Sequence, residues 1–540
     1  MINLGLTLLS ALLGALAFPN FINSNGYPLF AFLFLIPLFY VVLTSKLRYS
    51  WFLGALYGFV YYLIYNYWLK TFHPLAILIA PILESGQYLV VFMLLSLVAK
   101  LFKKRGYLAL SLVYVAYLYV TQMGFLGYPY GNLTASCYEM LPLIQIVDIG
   151  GIWLLALILV LPQALVAEIL VNKSFKLYKV DVLLIILVYI ITLSYGFIRL
   201  SYYQDKEGKE NIRVAAVQHS ADSWKGGYAT YRRNFETLRD LSLEALAYNP
   251  DYILWSETAF VPSVVWHQNY PHNSFASELC DEFIEFGLSL PILLITGNPE
   301  GVVADEVVGP FLEDGSFNWK VYNTVMLFGD GRVLGNYRKQ HLVPFTEHFP
   351  YEKQLPRLYQ LLLANDYNWW EKGVEALVFN YNGLKFSTPI CFEDTFGYLS
   401  AEFVQKGADV LMNLTNDSWS GSVAAEMQHM QLATFRAIEN RRPLIRGTNS
   451  GITCLVDITG KVINPLEPFS QSYGIYDITI GQETNLTFYT KHPDFFAKLI
   501  LALALLSYPI GIWGTLKRKK DEYYQKYDKL FSSLSDFYEV

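Results

Sequence analysis

Ser387-Thr388-Pro389-Ile390-Cys391-Phe392-Glu393-Asp394 sets one cysteine directly after a short β-prone run, residues 384–390, and follows it at once with two carboxylates. A cysteine that only fills a core behaves as a small hydrophobe and has no use for acidic neighbours. Cys391 therefore reads as a nucleophile at the end of a strand, and the first question is what kind of domain surrounds it.

Outward from Cys391, residues 211–485 alternate β-prone runs with helical windows and turns. Residues 213–218, 251–255, 292–297, 384–390, 410–414, 444–448 and 451–458 read as strands. Residues 228–248, 274–288, 398–406 and 424–440 read as helices. Residues 322–328 and 333–337 form a hairpin across Gly329-Asp330-Gly331, where Asp-Gly is a strong turn signal. This mixture of αβ units and hairpins predicts an α/β sandwich with helices on its outer faces. There is no internal repeat, phosphate-cradling glycine loop or histidine cluster, and Cys137, Cys280, Cys391 and Cys454 include no CxxC pair. Neither a metal site, a cofactor nor a disulfide framework is expected.

The rest of the chain is of another kind. Of its 540 residues 54% are hydrophobic and 16% charged, and the mean hydropathy is +0.30, too apolar for a soluble enzyme of this length. Crossing the hydrocarbon core takes about 20 apolar residues, and eight segments approach that: 2–21, 27–44, 50–69, 76–99, 107–124, 151–171, 180–200 and 495–515. The first lacks the basic start and small-residue cleavage site of a signal peptide, and is expected to be retained. Lys46 and Arg48, then Lys100, Lys103, Lys104 and Arg105, then Lys173, Lys176 and Lys179, then Lys517 to Lys520 fall on alternate loops and the tail. The positive-inside rule makes that side cytoplasmic, with both termini there and the large domain outside. The expected division is a seven-helix membrane domain at 1–205, a catalytic domain at 211–485, a last span at 490–516 and a cytoplasmic tail at 517–540. A net charge of −6 without a Lys/Arg stripe among aromatics argues against a nucleic-acid partner. The semi-polar loop 125–150, with Gly127-Tyr128-Pro129-Tyr130-Gly131, lies on the outer side and reads either as a surface loop or as a docking or substrate contact. His73 and Glu84, near the outer ends of spans, read as interfacial polar residues.

Two further places in the soluble domain look chemical. Trp255-Ser256-Glu257 ends an apolar strand, putting Glu257 at a strand C-terminus, where α/β folds gather their sites. Tyr337-Arg338-Lys339-Gln340-His341-Leu342-Val343-Pro344-Phe345-Thr346-Glu347 leaves the hairpin with its polar groups locked between apolar residues and a proline. Alone, Glu257 could be a surface carboxylate, Lys339 a solvated charge and Cys391 an inert core thiol. Together they supply a base, a cation and a nucleophile, the parts that thiol catalysis needs.

In that order, and in the settings Tyr-x-Lys-x-His-Leu-x-Pro-Phe-x-Glu and Cys-x-Glu-Asp, the three residues resemble the catalytic set of the nitrilase superfamily. Eight spans, with such a domain before the last and a stretch running from Gln428 through Phe435-Arg436-Ala437-Ile438-Glu439 to Arg446-Gly447-Thr448-Asn449-Ser450-Gly451, are similar to the superfamily's membrane-embedded branch, the bacterial apolipoprotein N-acyltransferases. The resemblance implies an αββα sandwich with Cys391 as nucleophile, Glu257 as general base, Lys339 at the oxyanion, and Glu347 and Glu393 in support. It also implies a ping-pong reaction: the sn-1 acyl chain of a phospholipid passes through a cysteine thioester to the α-amine of an S-diacylglyceryl cysteine on an apolipoprotein. The setting it implies is the bacterial cytoplasmic (inner) membrane, with the catalytic domain on its periplasmic side. Asn416-Asp417-Ser418-Trp419 matches the family's loop after a strand. Two positions depart from the pattern: Phe392, where a hydroxylated aromatic is common, and Tyr130, where a tryptophan is expected. Apolar loops carrying Phe260, Val264 and Trp266, and Asn368, Trp369 and Trp370, read either as gates to the membrane or as ordinary core or interface-belt packing, and Phe392 and Tyr130 are candidate substrate contacts. Two other readings of the same residues are a membrane-tethered amidase for a small amide and a non-catalytic membrane scaffold.

Overall fold

The computed structural model describes all residues except 73–75, 205, 365–368 and 539–540, and omits side chains also at 72, 76 and 529–538. His73 and Asn368 thus lie outside the described residues. Burial along the first strand reveals the layering. In β1 (Glu210–Gln218) Ile212, Val214 and Ala216 share one core, while Ala215 and Val217 belong to another. A strand buried on both faces must be covered on both.

Two sheets provide the cover. One runs β13 (Ser472–Ile480), β1, β2 (Tyr252–Leu254), β3 (Leu293–Val303), β4 (Trp319–Gly329), β5 (Arg332–Arg338), with β6 (Trp370–Glu371) beside β4. The other runs β12 (Val462–Ile463), β11 (Cys454–Val456), β10 (Leu444–Thr448), β9 (Val410–Thr415), β8 (Leu384–Ser387), β7 (Phe379–Tyr381). Val214, Leu254 and Ile295 from the first sheet pack with Phe386, Met412 and Leu414 from the second. The first sheet's outer side, with Ile253, Trp255, Leu294 and Phe328, packs on Phe235 and Leu238 of helix Gly227–Ala245 and on Leu279 and Phe283 of helix Ser274–Ser289. Helices Gly397–Gln405 and Val423–Asn440 belong to the second sheet's side. The result is the expected αββα sandwich.

Strand direction places the chemistry. β1, β2 and β3 are mutually parallel, and β5 regains their direction after the antiparallel β4. β8, β9 and β10 are likewise parallel. Glu257, Lys339, Cys391 and Asn416 all follow the C-terminal ends of such strands. The run expected as a strand to residue 390 stops at Ser387. Pro389 has no N–H for the ladder, and Ile390 rejoins by one bridge to Leu414. The antiparallel β13, which pairs with β1 along its whole length, was not expected from sequence.

The expectation of eight spans is met in part. Among the described residues, four helices are long and apolar enough to cross a membrane: Ile77–Leu101, Val147–Asn172, Lys176–Gln204 and Phe495–Asp528. Ile2–Leu16 and Gly106–Val120 have 15 residues each, about 22 Å of rise, short of the roughly 30 Å hydrocarbon core. Pro28–Thr44 is also apolar but short, and Leu47–Tyr65, in the place of the third span, is rich in tyrosine. The helix expected from 151 starts at Val147 and breaks at Gly151, whose φ is 61° and ψ −169°. The last helix does not end at the expected tail but runs Phe495–Tyr538. Helix Lys179–Gln204 leaves Leu183, Leu187, Ile190, Ile191 and Phe197 exposed, an apolar stripe suited to lipid rather than water.

The loop 125–150 is largely buried against the catalytic domain. Arg441, wholly buried, donates to Asp148 Oδ2 at 2.7 Å, Gln145 Oε1 at 2.7 Å and the Ile458 carbonyl at 2.8 Å. Arg441→Ala leaves these acceptors without their donor and is expected to cost about 3 kcal/mol, read as earlier unfolding on heating in detergent.

Candidate active site

Glu257 leaves β2 in a tight path. Thr258 has φ 47°, and Gly297 of β3 lies so close that a Cβ there would come within 2.7 Å of Glu257 Cα. The close approach explains the glycine. Lys339 follows β5, and its side chain is 0% exposed. Its Nζ donates to Glu257 Oε1 at 3.1 Å and to Glu347 Oε1 at 2.8 Å. Asn323 Nδ2 of β4 donates to Glu257 Oε1 at 2.6 Å, and the Asn416 N–H to Glu257 Oε2 at 2.8 Å. Glu347 is held in turn by the Val343 N–H at 2.7 Å. Burial raises the Glu257 carboxyl above the ordinary carboxylate range, against the pull of Lys339. Burial works against the Lys339 ammonium, but the carboxylates of Glu257 and Glu347 outweigh it and hold the lysine charged.

Cys391 opens a 3₁₀ turn, Cys391–Thr395, with φ at 48°. A side-chain-bearing residue rarely adopts that conformation, and local strain of this kind gathers at functional sites. Glu393 pins the turn: its carboxylate accepts from the N–H groups of Ile390 at 2.7 Å, Gln340 at 2.6 Å and His341 at 3.0 Å, and from Tyr337 Oη at 2.9 Å. These bonds tie the cysteine turn to the lysine segment. Burial nevertheless pushes the Glu393 carboxyl up to about 7. Burial, then the nearby Glu257 charge, raises the Cys391 thiol well above its ordinary value, while Lys339 pulls it down. A thiol of this kind needs its proton taken at the moment of attack.

Behind the turn lies a second polar layer. His429 on helix Val423–Asn440 places Nε2 3.0 Å from Asp394 Oδ1 and Nδ1 3.0 Å from Asp417 Oδ1. Arg446 of β10 pairs with Asp394. Cys391, Asp417 and His429 bring candidate donor atoms within 4.8 Å of one another, but both ring nitrogens of His429 face carboxylates and offer no lone pair to an ion. Over Cys391, Phe392 stacks on Tyr130 with centroids 6.4 Å apart and an interplanar angle of 14°. The two positions that depart from the family pattern thus touch each other.

Residues 213–486 match the carbon-nitrogen hydrolase family, and residues 10–165 match the apolipoprotein N-acyltransferase N-terminal domain. Apolipoprotein N-acyltransferase 1 of Treponema denticola is 36% identical over 523 residues, covering 94% of this chain and 95% of that one. Its namesake in Treponema pallidum is 34% identical over 493 residues, covering 88% and 89%. The chain belongs to the apolipoprotein N-acyltransferases. It is accordingly a member of a family of acyltransferases, built on a carbon-nitrogen hydrolase domain.

Within this N-acyltransferase, the structure brings Glu257, Lys339 and Glu347 into direct contact, with Cys391 close enough to feel their charges. It does not bring Trp266 to a surface loop. Trp266 is fully buried among Tyr270, Phe317 and Trp319, and Phe260 stacks on Phe283 at 4.1 Å. Of the two readings of this segment, a gate or ordinary core packing, these two residues have the surroundings of core. Trp369 and Trp370 are half-buried beside the Glu347 loop, the Trp370 N–H donating to the Glu347 carbonyl at 2.8 Å. Sequence reasoning missed Asn323, which reads as an ordinary position in a β hairpin, and His429, which reads as one polar residue on an amphipathic helix.

Proposed function

We propose that this chain moves the sn-1 acyl chain of a phospholipid to the α-amine of an S-diacylglyceryl cysteine on an apolipoprotein, through a thioester on Cys391. The observation that carries the reading is the buried Lys339 ammonium gripping Glu257 beside the Cys391 turn. Glu257 takes the thiol proton, and the sulfur attacks the ester carbonyl carbon. The carbonyl π electrons move to oxygen, where Lys339 stabilises the charge. Collapse breaks the C–O ester bond, and the lysophospholipid leaves with the proton that Glu257 returns. The acceptor amine then attacks the thioester and gives its proton to Glu257. The C–S bond breaks, the thiol regains that proton, and the product is an amide. Glu347 and Glu393 hold the lysine and the cysteine turn in register.

Both substrates are lipid-anchored, and withdrawing an acyl chain into water costs about 0.8 kcal/mol per CH₂. That cost is the reason for joining a hydrolase-like domain to a membrane domain. We place the chain in the bacterial cytoplasmic membrane with eight crossings, both termini in the cytoplasm and the catalytic domain outside, on the strength of the Lys/Arg asymmetry of its loops.

The test incubates the purified protein with a defined phospholipid and a diacylated lipopeptide. N-acylated peptide and lysophospholipid in equal amounts are expected. Ammonia release from a small amide, with no lipid requirement, would favour the amidase reading instead. Glu257→Gln is expected to slow acyl-enzyme formation by about 10²–10⁴-fold. In the wild type the base must be deprotonated and its carboxyl is raised, so activity should already be falling above the ordinary carboxylate range as pH is lowered. A rate–pH profile flat down to that range would contradict this.

A further inference from the structure

We propose that His429 is the positioning residue for Cys391: an imidazolium fixed between Asp394 and Asp417, it balances the Asp417 charge beside the thiol and anchors the turn that carries it. The proposal rests on Cys391 being the nucleophile.

The charge follows from hydrogen-bond counting. A neutral imidazole has one N–H, yet both nitrogens of His429 sit 3.0 Å from carboxylate oxygens. With both carboxylates ionised, only the doubly protonated ring satisfies both. Arg446 brings a second cation to the same two carboxylates, pairing with Asp394 and lying 3.9 Å from Asp417 Oδ2. Glu426, on the same helix, accepts from Ser420 Oγ at 2.5 Å, and burial followed by the Asp417 charge holds its carboxyl in the neutral form. The buried cluster therefore closes with His429 and Arg446 positive, Asp394 and Asp417 negative.

Its place in the fold gives it leverage. Asp394 belongs to the Cys391 turn, and Asp417 follows Asn416, whose N–H holds Glu257. The thiol, an Asp417 oxygen and a His429 nitrogen lie within 4.8 Å of one another. Without the imidazolium an unbalanced carboxylate would face the sulfur. The other charged or titratable groups that act on the thiol are Glu257, Lys339, Glu347, Arg446 and Tyr130. None is changed by substitution at 429. Buried ion networks add little net stability over apolar packing; this one supplies charge and register at the nucleophile.

The test is the rate of Cys391 alkylation by iodoacetamide as a function of pH, read by intact mass on the full chain in detergent, with Cys391→Ala as the blank. His429→Gln is expected to move the midpoint up by about one pH unit or more. The double variant His429→Gln/Asp417→Asn restores the charge balance and is expected to bring the midpoint back to that of the wild type. An unmoved midpoint in the single variant, or a double variant displaced as far as the single, overturns the proposal. If the single variant does not fold, the double decides: coincidence with wild type supports the proposal, displacement overturns it. The assay contains no lipid, so a failure of the acyl-transfer reading would appear in acyl-enzyme formation and not here.

Discussion

Cys391→Ala is expected to reduce N-acylation to background, at least about 10³-fold, and to abolish any covalent acyl adduct. The size of the effect follows from the division of labour in the site. In the proposed mechanism Glu257 and Lys339 act on a proton and an oxyanion that exist only if the sulfur attacks, so neither can compensate for its loss. The fold should survive, because Glu393 holds the turn through the N–H groups of Ile390, Gln340 and His341 rather than through the thiol. Thermal unfolding close to wild type, together with absent product, is the expected pair of results.

Lys339→Met is expected to damage stability and catalysis together. The ammonium separates Glu257 and Glu347, and Asn323 Nδ2 reaches both carboxylates, at 2.6 and 3.4 Å. Without the cation, buried Glu257 and half-buried Glu347 are left with the Asn323 amide and the N–H groups of Asn416 and Val343 as donors, and one of the two carboxylates must take up a proton near neutral pH. Removing one member of a buried ion cluster costs roughly 3–5 kcal/mol. Loss of the oxyanion partner adds about 10²–10³-fold in rate. The double variant Lys339→Met/Glu257→Gln relieves the charge and is expected to recover most of the stability but none of the activity. Recovery of activity would remove Lys339 and Glu257 from the proposed chemistry. Heating curves in detergent and single-turnover acyl-enzyme formation measure the two effects separately.

These expectations draw on residues of unequal legibility. Cys391, Glu257 and Lys339 stand out because each closes a β-prone run with a reactive group, and strand ends are local features. The helix Val423–Asn440 shows the opposite case. Its Glu426, Gln428, His429, Gln431, Arg436 and Glu439 are all buried, yet its sequence reads as an amphipathic surface helix. Part of what buries it comes from the N-terminal part of the chain: Trp68 Nε1 donates to Gln428 Oε1 at 3.0 Å and Tyr130 packs near His429. Partners more than 290 positions away leave no local trace. The sequence left Trp266 open between gate and core for the same reason, because the aromatics that enclose it, Phe317 and Trp319, come from a later segment. The spans were legible as apolar runs, but hydropathy does not reveal where a helix ends. Ile2–Leu16 and Gly106–Val120 stop short of the runs that contain them.

The central claim is that Cys391 carries the acyl chain between two lipids. The most direct measurement incubates the intact protein with a phospholipid bearing distinct chains at its two positions, records its mass, and then adds a diacylated lipopeptide. The account predicts a mass increase of one sn-1 acyl group, mapped to Cys391, that disappears as the same chain appears on the peptide amine. Acyl transfer without an adduct at Cys391, or an adduct that the lipopeptide does not discharge, would contradict it.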